Sequence, residues 1–268
     1  MRRHRLRGGL HRIKAIVHDF CQAYTWIAVF ICVKITYRFG LPMKAKIFEI
    51  GKFRDREHVF TDRSEAGETL GLMLESDYRG NSEGMILAIP SGGVPVGTEV
   101  RDKLALPFDL MIVRKLQIPG NTEAGFGAMT LDGTVFLNKD LLATLRISQT
   151  QIESEKNRVS AELEKRNALF RAGRAFPDLT GKSVILVDDG LASGFTMLVS
   201  VHMARKAKAR EIVVAVPTAP QRSLDRVLPD VDRIYCANVR TGAFFAVANA
   251  YRNWYDLSEQ AVLDLLKT

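Results

Sequence analysis

Short apolar runs separated by stretches of helical periodicity constrain this chain more than any other feature. "MILAIP" (85–90), "FDLMIV" (108–113), "TVFLN" (134–138), "SVILV" (183–187), "EIVVAV" (211–216) and "RIYCANV" (233–239) all have strand length. Between them, "FTMLVSVHMARKAKA" reads as a crossover helix. Residues 148–170 place Ile152, Val159, Leu163 and Phe170 among charges, behind Ser148 as a cap. Apolar strands alternating with helices predict an α/β fold, a doubly wound, mainly parallel sheet with helices on both faces. Such sheets bind ligands outside the carboxyl ends of their strands, where the loops converge.

Charge divides the chain in two. The formal net charge of +8 over 268 residues suggests an anionic partner, but residues 1–42 carry eight Lys/Arg against the single Asp19. The remaining 226 residues hold 30 basic and 29 acidic side chains, so the body is nearly neutral and no nucleic-acid partner is expected. The leader joins "MRRHRLRGGLHRIK" to the apolar "FCQAYTWIAVFICVKITYRFG". Its uninterrupted core is far short of the roughly 20 residues that span a bilayer, and Lys34 interrupts its continuation. The favoured reading makes residues 1–42 an upstream extension of the frame, with the domain, 43–268, starting at Met43. The alternative is a membrane tether through residues 20–39, with the domain in the cytoplasm. Cys21 and Cys32 lie in the leader and Cys236 stands alone in the body, which predicts neither a disulfide framework nor a metal site and suits a reducing cytoplasm.

The chemistry concentrates in "VILVDDGLASGFTM" (184–197). Two acids leave the tip of an apolar strand, and a small-residue turn then enters a helix whose first N–H groups lack partners and attract anions. Carboxylates would repel a bare phosphate. A ligand with phosphate at one end and hydroxyls at the other removes the conflict, and a 5-phosphosugar is such a ligand. A Walker A loop is excluded because no Lys precedes the Ser/Thr. A dinucleotide fold is excluded because the acids come before the glycines.

"VILVDDGLASGFT" resembles the motif with which type I phosphoribosyltransferases bind phosphoribosyl pyrophosphate (PRPP), and the resemblance extends over most of residues 85–240. It implies a transferase that moves the 5-phosphoribosyl group from PRPP to a nitrogen of a nucleobase or amine, releasing pyrophosphate. The alternative is a regulatory protein that binds PRPP without catalysis. By the same resemblance Asp188 and Asp189 bind the ribose hydroxyls, and Gly190, Leu191, Ala192, Ser193, Gly194, Phe195 and Thr196 enclose the 5-phosphate. Phe195 departs from the family pattern, which often has a small residue there. Ser91, Gly92 and Gly93 in "IPSGGVP" correspond to the pyrophosphate loop. "VRKLQIPGNTEAGFGAM" (113–129) corresponds to the mobile catalytic loop, with Arg114 and Lys115 facing the departing pyrophosphate and Pro119–Gly120–Asn121 as a turn. Mg2+ is the implied cofactor, held by Asp188 and Asp189 indirectly, through PRPP and water.

The acceptor is chosen in this family by a variable hood, which here falls to residues 44–70 and 239–256. Phe244, Phe245 and Trp254, with Tyr251 and Tyr255 nearby, offer aromatic faces on which a planar base could stack. The resemblance further implies a homodimer in the cytoplasm.

Overall fold

The structure, a computed structural model, describes residues 47–267. The leader, with its extension and tether readings, and residues 44–46 of the expected hood lie outside the described residues. Six parallel strands form the main sheet, in the order β1 (Ile47–Phe48), β9 (Arg233–Arg240), β8 (Glu211–Pro220), β7 (Ser183–Val187), β2 (Gly84–Ala88), β3 (Phe108–Leu110). β7 and β2 lie inside the sheet and are buried at every position, as their unbroken apolar sequences require. Val184, Leu186, Ile212, Val214, Ile234 and Cys236 share one core with Leu198, Val199 and Val201 of helix α5 (Phe195–Lys206). Helices α1 (Arg63–Tyr78) and α2 (Gly93–Leu104) pack against each other and against the sheet. Among the described residues no helix is long and apolar enough to cross a membrane.

The expected strand 108–113 is two strands in two sheets. Met111 donates its N–H to Ala88 O at 2.9 Å, the chain then leaves the main sheet, and β4 (Val113–Ile118) begins a separate antiparallel sheet with β5 (Asn121–Thr130) and β6 (Val135–Leu137). The stretch 113–129, expected to correspond to the mobile catalytic loop, is therefore a hairpin. Its turn falls at Pro119–Gly120, with Gly120 at φ +77°, and its register shifts around Gln117. Leu116 and Phe126 bury against Ile152, Val159, Leu163 and Phe170 of helix α4 (Gln149–Arg171). That is the apolar stripe read from the sequence, and Ser148 closes the helix start with Gln151 as a capping box. A short helix, α3 (Lys139–Leu145), links β6 to α4.

Two of the six expected strands run longer than their apolar sequence. β8 continues to Pro220 and β9 to Arg240, still paired at Pro220↔Arg240. Helix α6 (Gln221–Val227) follows β8. Beyond β9, residues 241–255 return to the segment before α1. His58, Phe60, Arg252 and Asn253 exchange backbone hydrogen bonds across the two stretches at 2.8 to 3.0 Å, so both parts of the expected hood form one unit. A final helix, α7 (Glu259–Leu265), contacts α2.

Candidate active site

Register builds the site. Ala88 pairs with Val187, so β2 and β7 end side by side and release two loops at one edge of the sheet. The first is the turn 91–93; the second begins with Asp188 and Asp189. The two loops touch so closely that a Cβ on Gly92 would lie 2.0 Å from Asp189 Oδ2, and this position accepts no other residue without displacing the acid.

Asp189 Oδ2 accepts a 2.8 Å hydrogen bond from Arg63 Nε, at the start of α1, and Tyr251 donates its hydroxyl to the Asp189 carbonyl at 2.5 Å. The Asp189 N–H donates to Asp188 Oδ1 at 2.9 Å. Burial, and then the neighbouring Asp189 charge, push the Asp188 carboxyl well above the ordinary carboxylate range. Burial also raises Asp189, but the Arg63 guanidinium opposes it, so of the two Asp189 is the better stabilised as the anion. Arg63 is itself enclosed: its guanidinium lies 3.9 Å from the Trp254 ring centre, with Tyr255 and Tyr251 at 5.6 and 6.0 Å, and it donates to Tyr255 O.

After the acids, the loop turns into α5 through Gly194, whose φ of +86° favours glycine. Ser223 Oγ and Arg226, both on α6, donate to the carbonyls of Ala192 and Ser193. No side chain caps α5, and the first intrahelical bond is Leu198 N–H to Gly194 O, so the leading N–H groups remain available to an anion. Phe195 stacks on Phe136 of β6 at 5.7 Å and lies under the Arg226 guanidinium. Its bulk is thus accommodated by the small sheet and α6.

A cavity of about 340 Å3 joins these parts. It is lined by Asp188, Asp189, Gly190, Ala192, Ser193 and Thr196 from the motif, and by Arg114 and Lys115 from β4. These groups come from distant stretches of the sequence, and the fold brings them to one opening. Lys115 is exposed and lowers the proton affinity of Asp188. Arg114 is ion-paired with Glu162 of α4, and Arg158, one turn earlier, also lines the cavity.

Other expected residues stand apart. Ser91, Gly92 and Gly93 do not line the cavity, although the preceding Ile89 and Pro90 do, and Ser91 Oγ accepts a 3.3 Å hydrogen bond from the buried Arg166. Phe244 is 94% exposed, Phe245 is half-buried, and neither borders the cavity. Trp254 carries Arg63 on its ring, and among the described hood residues Val247 reaches the cavity wall. The sequence reading missed Arg63, Arg158, Glu162 and Arg166. Spacing of four along α4 could have revealed the last three as one stripe. Nothing local marks Arg63, which meets its partner 126 positions away.

Comparison with known proteins agrees with this fold. Residues 71–251 match the family model described as phosphoribosyl transferase domain. Two Mycobacterium tuberculosis proteins, one from each of two strains and each named "Putative phosphoribosyl transferase", are 35% identical over 208 residues, which cover 78% of this chain and 46% of theirs. The chain thus spans about half the length of the curated relatives it matches. The crystal structure of TT1426 from Thermus thermophilus superposes with a TM-score of 0.64 at 31% identity, over 77% of this chain and 97% of that one.

Proposed function

Since the chain belongs to the phosphoribosyl transferase family, we propose that it transfers the 5-phosphoribosyl group of PRPP to a ring or amine nitrogen and releases pyrophosphate. One observation carries the reading: a single cavity gathers two strand-tip carboxylates, an uncapped helix start and the basic pair Arg114–Lys115. A sugar bearing a phosphate at one end and a diphosphate at the other needs those three environments together. The 5-phosphate lies on residues 190–196, the ribose hydroxyls face Asp188 and Asp189, and the diphosphate points to β4.

Charge then describes the reaction. As the bond from C1 to the diphosphate oxygen breaks, the sugar ring becomes cationic and the departing group gains negative charge. The acid pair stabilises the first and Arg114 and Lys115 the second. The bond from C1 to the acceptor nitrogen forms, and the nitrogen's proton passes to water. No side chain attacks the sugar. Among the described residues no cluster of three or more metal-ligating side chains exists. Two carboxylates suit a hard cation that brings waters and ligand oxygens of its own, and Mg2+ fits that description. Asp188 and Asp189 would hold it through PRPP and water, and when bound it supplies positive charge to the diphosphate.

The test offers the full-length protein PRPP and Mg2+ with a panel of nucleobases and amines, and measures pyrophosphate. Acceptor-dependent release with at least one compound is expected. Tight PRPP binding with no release for any acceptor would instead mark a PRPP-binding regulator, and absence of PRPP binding would end both readings.

A further inference from the structure

Helix α4 carries Arg158, Glu162 and Arg166 at intervals of four, which places them on one face. Arg158 and Glu162 border the cavity. Arg158 grips Glu155 with a two-pronged contact, Nε to Oε2 at 2.8 Å and one Nη to Oε1 at 2.7 Å. That fork fixes the guanidinium and leaves its other Nη, which donates to Glu162 Oε2 at 3.3 Å. The second oxygen of Glu162 accepts from Arg114. One carboxylate therefore bridges two arginines, one oxygen to each, at the basic end of the cavity. Lys115, next to Arg114, forms no ion pair with a carboxylate among the described residues.

We infer that Arg158 is a further binding residue for the diphosphate half of the ligand, and that Glu162 occupies its place between Arg114 and Arg158 until the ligand displaces it. The inference rests on reading this cavity as the PRPP site and extends that reading to an element outside the PRPP motif. A diphosphate carries more charge than a carboxylate and has oxygens enough to satisfy both arginines, so the exchange favours the ligand. The displaced Glu162 stays nearby as a like charge, which limits how tightly free pyrophosphate can remain after transfer. Anchored by Glu155, Arg158 need not move during the exchange.

The experiment measures calorimetric binding of inorganic pyrophosphate, in Mg2+, to the full-length protein and to R158M, R158K, E162Q and K156M. Ribose 5-phosphate, which lacks the diphosphate, is titrated in parallel. R158M should weaken pyrophosphate about tenfold, R158K should recover part of that loss, and ribose 5-phosphate should stay within about twofold. E162Q, close in shape to the original, should tighten pyrophosphate several-fold. K156M removes a charge on the same helix that pairs with Glu153, and it should change neither. Pyrophosphate affinity unchanged in R158M, or weakened in E162Q as it is in R158M, overturns the inference. If R158M does not fold, R158K and E162Q decide it by the same criteria. Pyrophosphate binding that follows this pattern without release from PRPP for any acceptor would defeat the transferase reading and leave the inference standing. A wild-type protein that binds no pyrophosphate overturns the inference, while the transferase reading still stands or falls on release from PRPP.

Discussion

Arg63 and Asp189 form an ion pair at 2.8 Å in which the arginine side chain is 5% exposed and the carboxylate 14%. The pair joins the first turn of α1 to the tip of β7, and thereby the hood to the acid pair. Removing one partner of such a pair strands the other charge. Arg63→Met should cost about 3–5 kcal/mol of stability, seen as a lower urea midpoint at an unchanged slope. Arg63→Lys keeps the charge but cannot also reach Tyr255 O, and it should fall between the two.

The adjacent acids should respond unequally when neutralised. Asp188 has its proton affinity raised by folding, so its ionised form opposes folding at neutral pH, and its contribution to stability improves as pH falls. Asp188→Asn should therefore raise the melting temperature at pH 7 to 8. Asp189→Asn should raise it less, because burial raises this carboxyl too but the Arg63 guanidinium opposes that and stabilises the anion. Both should reduce pyrophosphate release, by at least about a hundredfold if they stabilise the cationic sugar as proposed. Melting curves and turnover measured on the same preparations separate the two effects.

Arg114→Ala with Lys115→Ala should depress turnover more than PRPP affinity, since these groups act as charge builds on the leaving diphosphate. Equal losses in both would mean that the pair only binds. A protein that binds PRPP without transfer would show weaker binding alone.

Acid should loosen the small sheet from α5. Burial raises the Asp132 carboxyl, but hydrogen bonds from Lys206, Thr130 and Thr134 outweigh it and bring the group to about 2. A depressed carboxyl contributes above its unfolded value, near 4, and the contribution is lost as pH falls from about 4 to about 2. Partial exposure reduces the gain to about 1–2 kcal/mol. Asp132→Asn should melt earlier than wild type at pH 6, and the gap should close by pH 2.

The sequence revealed the strand–acid–acid–loop unit because burial demands apolar strands and an anion site demands small residues, and both demands are local. Ser148 and the stripe on α4 were legible for the same reason. The hairpin was hidden because Val113–Ile118 places Arg114 and Lys115 at its start, which reads as a loop until β5 is known to pair with it. Helix α1 escaped notice because Gly67 and Gly71 share its buried face with Leu70 and Leu74 and dilute the periodicity. The aromatic residues of 251–255 suggested a platform for a base; the Trp254 ring carries the Arg63 guanidinium and leans on Tyr251, and no pattern within either segment encodes the meeting with Arg63.

The pairing of β2 with β7 has a consequence for synthesis. Met85 and Val184 are partners 99 positions apart, so a ribosome must deliver the hairpin and all of α4 before β2 gains its second neighbour. Until then β2 and β3 present an apolar strand with an open edge, a surface that another chain can extend. Long-range parallel pairing also forms slowly. Yield in a cell should therefore depend on chaperone capacity during elongation more than on the stability of the finished sheet.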